Sequence, residues 1–183
     1  MSVEQPVTGV ERFFGENDII VSKTDLSGRL TYANKIFLDI SGYKEKEVLG
    51  QPHNIIRHPY MPRSIFKLLW DHIENGKEIF AYVNNRCKNG DHYWVYAHVT
   101  PSWNKEGKVS GFHSNRRVPD PNILKQHVIP LYEKIRSAEK SVANRKDGLK
   151  AGMQVIESLL AENGVAYDEF IATLGQQRRR GYR

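Results

Sequence analysis

Two aromatic-rich runs joined by one Asn-Gly turn constrain this chain more than any other feature. Ile79-Phe80-Ala81-Tyr82-Val83-Asn84-Asn85-Arg86 and His92-Tyr93-Trp94-Val95-Tyr96-Ala97-His98-Val99 have strand composition, and Lys88-Asn89-Gly90-Asp91 between them is a strong hairpin signal. A further strand is expected over Val109–Arg117, after a turn around Lys105-Glu106-Gly107. Upstream, Ile19–Asp25 and Leu30–Ala33 flank Leu26-Ser27-Gly28-Arg29, where glycine supplies a second hairpin turn. Helical signals fill the space between the hairpins. Asn34 stands as N-cap before Phe37, Leu38 and Ile40, and Gly42 ends that helix. Lys44–Gly50 adds a helical turn. Met61–Asn75 places Ile65, Leu68, Leu69 and Ile73 on one helical face and stops at Gly76. Two strands, short helices and three strands predict an α+β fold, a five-stranded antiparallel sheet with short helices over one face. The sheet curves and the helices are too short to fill its concavity, so a cavity is expected.

Composition narrows the function classes. With 183 residues, 39% hydrophobic and 26% charged, the chain suits one ordinary domain with appendages. No apolar stretch approaches the roughly 20 residues that cross a bilayer, and Met1–Pro6 lacks a basic-then-apolar signal pattern, so a cytoplasmic location is expected. Of the net charge of +6, Arg178, Arg179, Arg180 and Arg183 supply four from a short tail, which gives no ground for nucleic-acid binding. The single cysteine, Cys87, excludes an internal disulfide and a multi-cysteine metal site. Its place beside the hairpin turn is expected to face a neighbour or solvent. No Gly-rich phosphate loop, local Ser-His-Asp motif or metal-ligand spacing on a helix is present, so no enzyme is expected and no metal site is assigned.

The order of elements, with Tyr32-Ala33-Asn34, Ser41-Gly42-Tyr43, Glu47-Val48-Leu49-Gly50 and the Lys88-Asn89-Gly90 hairpin, resembles the PAS family. Two longer segments are more specific. Gly50-Gln51-Pro52-His53-Asn54-Ile55-Ile56-Arg57-His58-Pro59 with Met61-Pro62, and Asn85–Val95, look like the flavin-binding PAS domain of bacterial aerotaxis receptors. After His58-Pro59 the family pattern has an acid, where this chain has Tyr60.

The resemblance implies non-covalently bound FAD, with FMN and haem as alternatives. It also implies redox signalling to a partner protein, of a chemotaxis pathway, in aerotaxis or energy taxis. Each cofactor-binding residue carried over has a chemical reason. Arg57 and His58 wall the cavity, where a guanidinium pairs with pyrophosphate or steadies a reduced flavin. Trp70 presents an aromatic face to the ring system. Asn85 offers both a donor and an acceptor to the flavin edge, and Asn34 is a candidate of the same kind. A haem sensor would draw an axial ligand from His53, His58 or His72. A PAS interaction module without cofactor is the remaining alternative.

The expected organisation is an N-terminal extension over 1–14, a PAS sensor domain over 15–120 and a C-terminal helical extension over 121–183 ending in the basic tail. Pro119-Asp120-Pro121 marks the linker. Helical segments then run through Leu131, Ile135 and Ala138 to Arg145, over Met153–Leu160, and from Tyr167 to Leu174, with a break at Asn163-Gly164. Such short helices bury little alone and are expected to pack on the sensor domain or on a second copy, giving a homodimer.

Overall fold

Asp25 folds the first hairpin. Its Oδ1 accepts from Ser27 N (2.9 Å), Ser27 Oγ (2.7 Å) and Arg29 N (2.9 Å), while Gly28 adopts φ 76°. In the computed structural model, which describes residues 6–175, this turn joins β1 (Ile20–Thr24) to β2 (Leu30–Ala33). Asn34 then starts α1 (Lys35–Ser41): its Oδ1 accepts from Phe37 N at 3.0 Å, and Gly42 closes the helix at φ 75°. A short α2 (Glu45–Val48) and a 3-10 turn (His53–Ile56) lead to α3 (Arg63–Glu74).

The second half of the sheet is β3 (Ile79–Arg86), β4 (His92–Trp103) and β5 (Val109–Arg117). All pairs are antiparallel, in the order β2-β1-β5-β4-β3, as expected of a PAS fold. β4 runs past Val99 because only β5 flanks it there: β3 ends opposite Val99, so Pro101, paired with Phe112, lacks a donor where no second neighbour requires one. Along β4, Tyr93, Val95, Ala97 and Val99 are buried in strict alternation. With Ile20, Phe37, Ile56 and Ile73 they form the core beneath the helices. On the other face Phe80 stacks on His98, centroids 4.1 Å apart.

The described chain divides into two compact units, residues 6–61 with 65–119 and residues 62–64 with 120–175. The first begins earlier than residue 15. Thr8 N donates to Gly90 O (3.0 Å), Arg12 N to His92 O (2.7 Å) and His92 N to Val10 O (2.9 Å), which ties the N-terminal segment to the β3–β4 hairpin. Cys87 is fully buried, its Sγ donating to Ile40 O at 3.2 Å. Of the two surroundings expected for it, a neighbour or solvent, the thiol has the neighbour: Lys88 N donates to Ser41 O at 2.8 Å and seats the hairpin turn against the end of α1.

In the second unit, α4 (Pro121–Ile123) passes through one π-helical turn (Leu124–Val128) into α5 (Ile129–Lys140). Pro130 has no N–H for the regular ladder, which accounts for the widened turn before it. Asn144 caps α6 (Arg145–Asn163), Gly164 ends it at φ 64°, and α7 (Tyr167–Ala172) follows. α6 is longer than the sequence pattern indicated, because Gly148 and Gly152, poor helix formers, pack closely against Glu139. No described helix is long and apolar enough to cross a membrane. The arginine tail lies outside the described residues.

Asn34 uses its whole amide in the fold. Besides capping α1, its Oδ1 accepts from Val21 N (3.0 Å) and its Nδ2 donates to Ile19 O (2.8 Å), locking the helix start to β1. Replacing Asn34 by Ala is expected to cost about 1–3 kcal/mol of unfolding free energy in urea melts. A loss below about 0.5 kcal/mol would show that the cap contributes little.

Candidate functional site

A cavity of about 260 Å³ opens in the first unit between the inner sheet face, the 3-10 turn and α3. It lies just below the roughly 300–1,000 Å³ of ordinary small-molecule pockets, a size for a ring system rather than for a whole dinucleotide. α3 lines it with Phe66, Leu69, Trp70 and Ile73, and the sheet contributes Val83, Ala97, Val99 and Phe112. Trp70 is half-buried and meets Phe112 edge to face at 5.6 Å. Its ring passes so close to Gly28 that a Cβ there would lie 2.9 Å from the indole, so glycine is required by contact as well as by φ.

Polar groups converge on this apolar shell. Arg116 on β5 is buried, and its Nη2 donates to Ser22 Oγ and to His53 Nε2, both at 2.7 Å. A guanidinium has no lone pair to offer, so His53 Nε2 accepts and the imidazole proton stands on Nδ1. The Phe37 ring lies 5.7 Å from the guanidinium carbon. Among the described residues, no carboxylate lines the cavity to face this charge. Desolvation pulls the Arg116 pKa down to about 10. Desolvation, with the Arg116 charge behind it, pushes His53 down to about 3. Tyr93 is pushed up, again by burial, although Arg116 opposes the shift.

Among the described residues, four buried atoms of cavity-lining side chains have no hydrogen-bond partner: Thr24 Oγ1, Asn85 Nδ2, Ser114 Oγ and Arg116 Nη1. Unmet, such groups cost about 1–3 kcal/mol each. Donors of this kind, ringed by aromatic and aliphatic walls, fit a flat heteroaromatic ligand with carbonyl and ring-nitrogen acceptors.

The cavity brings together three of the five residues expected from sequence, Arg57, Trp70 and Asn85. Arg57 pairs with Asn85 as an isolated bridge and lays its guanidinium over Phe66 at 4.2 Å. His58 and Asn34 do not line it. His58 is buried beside Tyr60 and His92, its Nδ1 accepting from Tyr60 N at 3.2 Å, and Asn34 is committed to the α1 cap. Arg116, Ser22 and Ser114 were missed by sequence reasoning, and His53 was weighed only as a haem ligand. Strand alternation carried the signal: Phe112, Ser114 and Arg116 share the inner face of β5. Cys87 does not line the cavity, so the chain's one thiol is not placed to add to a ligand there.

His53 sheds its proton on folding, which sets a pH dependence. The group titrates near 6.5 when unfolded and near 3 when folded. The stability linked to it is complete above about pH 6.5 and is lost as pH falls toward 3, by up to about 1.4 kcal/mol per unit. His53→Gln keeps an acceptor for Arg116 and is expected to flatten unfolding free energy between roughly pH 5 and 6.5, above the carboxylate range. Urea melts across that window measure it, and an unchanged slope would show that His53 titrates normally in the fold.

Comparison with known proteins agrees with this geometry. Residues 30–116 match the family model described as PAS fold. The chain is 40% identical over 142 residues to the aerotaxis receptor of Escherichia coli (strain K12), covering 77% of this chain and 28% of the receptor. It is 24% identical over 156 residues to the biofilm dispersion protein BdlA of Pseudomonas aeruginosa, covering 84% of this chain and 34% of that protein. The chain thus spans about a third or less of these relatives. Among solved structures, the dark structure of the blue-light photoreceptor Aureochrome1 LOV superposes with a TM-score of 0.56 at 17% identity, covering 63% of this chain and 86% of that one.

Proposed function

Because this chain carries a PAS domain of the aerotaxis-receptor type, we propose that it holds a flavin, as FAD, without a covalent bond in the cavity around Arg116. On this proposal it reports redox state to a signalling partner of the chemotaxis class, in the cytoplasm, and turns over no substrate. The supporting observation is the buried Arg116 charge, which faces a cavity with no carboxylate in its lining and four unsatisfied polar atoms. A bound flavin would supply reversible electron uptake, with a change of charge and hydrogen bonding on its ring.

The residues divide the work. Arg116 Nη1 and Asn85 Nδ2 donate to acceptors on the ring, and Thr24 and Ser114 hydroxyls complete the polar set. Phe66, Leu69 and Trp70 exclude water, so that added negative charge is felt strongly by Arg116 in a low dielectric. His53, held neutral, keeps Arg116 aimed without competing for that charge. Arg57, whose guanidinium lies over Phe66 in the cavity lining, is proposed to meet a phosphate of the ligand's tail, since the cavity admits little beyond the ring. A haem receives less support: of the histidines lining the cavity, His53 has Nε2 engaged by Arg116 and His113 has Nε2 on Asn115 Oδ1. The C-terminal helices are proposed to carry the output, to a partner or to a second copy.

The absorption spectrum of purified protein, followed by mass identification of the released chromophore, tests this. An oxidised-flavin spectrum that bleaches on reduction and a released FAD are expected. A Soret band would mean haem, and no visible absorption after incubation with FAD would overturn the flavin assignment. Arg116→Met, close in volume, is expected to weaken FAD retention at least tenfold, equivalent to about 1.4 kcal/mol. Retention equal to that of the wild type would remove Arg116 from the site.

A further inference from the structure

The second unit is built around one buried carboxylate. Glu139, on the last turn of α5, is 6% exposed. Its Oε1 accepts from Ser64 N (2.7 Å) and Ser64 Oγ (2.6 Å), and its Oε2 accepts from Arg63 N (3.1 Å) and Arg63 Nε (3.4 Å). One side chain therefore takes up two first-turn N–H groups of α3, which have no partner within their own helix, and sets its negative charge at the positive end of that helix. α6 is cut to fit: a Cβ on Gly148 would lie 2.3 Å from Glu139 O, and one on Gly152 would lie 2.2 Å from Ser64 Oγ. Arg63 Nη1 donates to Arg145 O at 3.0 Å and fastens the start of α6 to the same place.

α3 is shared by the two units. Its first two residues belong to the second, and from Ile65 onward it belongs to the first, where Phe66, Leu69, Trp70 and Ile73 wall the cavity. We propose that Glu139 is a positioning residue through which occupancy of the cavity is communicated to α5 and α6, an inference that rests on the cavity being a ligand site. A ligand that fixes the α3 wall fixes the donors that Glu139 grips. A buried carboxylate that loses its donors is penalised steeply, so the clasp is made or broken rather than graded. By linkage, breaking the clasp must weaken the ligand as much as the ligand strengthens the clasp.

Hydrogen exchange by mass spectrometry on the full chain tests this with wild type, Glu139→Gln and Gly152→Ala, each without ligand and with added FAD. Glu139→Gln turns an amide donor toward the Arg63 N–H, and Gly152→Ala pushes α6 from Ser64 while leaving the carboxylate. Both are expected to quicken exchange over 65–70 and 149–156, to leave the sheet at wild-type rates as a check on folding, and to weaken FAD at least fivefold. FAD is expected to slow residues 149–156 in wild type and in neither variant. The proposal is overturned if the ligand-free variants loosen 149–156 alone, or if FAD slows that segment equally in all three proteins. Should wild type take up no FAD, the flavin assignment fails, while the ligand-free comparison still decides whether the clasp reaches the cavity wall.

Discussion

A guanidinium placed inside a small domain without a counter-ion among the described residues imposes conditions on everything near it. Arg116 is buried in β5, bonded to a serine hydroxyl and a neutral imidazole and faced by the Phe37 ring. Each of these neighbours stabilises the cation weakly, and a carboxylate would do so far better. The charge is thereby kept available to whatever occupies the cavity. The 3-10 turn brings His53 to the arginine, and the hairpin at Asp25 brings Ser22 and Gly28 to the same region. Removing the charge would leave the apolar wall intact and delete the reason for its polar contents.

This domain shares its fold with the photoreceptor that superposes on it. A shared five-stranded sheet says little about chemistry, since sites are grafted onto folds. Here the lining holds no cysteine, and the electrostatics centre on a cation and an uncharged imidazole.

Much of the fold was legible because local signals agreed with the global plan. Asn89-Gly90, Asn34, Gly42, Gly76 and Gly164 each mark a turn or cap that the structure uses. Arg57, Trp70 and Asn85 were reached through resemblance, and the cavity gathers them. Arg116 was not found because Asn115-Arg116-Arg117 at a strand end looks like solvated charge. Only the alternation anchored on Phe112 turns its middle member inward. A helix was expected over Met153–Leu160, yet α6 begins at Arg145 and runs through Gly148 and Gly152. Their helix propensity is poor, yet close approach to Glu139 requires the absence of a Cβ, and tertiary packing overrides propensity at both. His58 was drawn into the site by its neighbour Arg57, but adjacent residues of an extended segment point to opposite sides.

The burial of Cys87 has a practical consequence for anyone working with this molecule. With its only thiol enclosed and its Sγ bonded to a backbone carbonyl, the folded protein presents no native cysteine to a labelling reagent. A cysteine introduced on an exposed stretch of α6 would then be the single reactive handle. Spin labels or dyes could be attached there without stripping the natural residue from the hairpin.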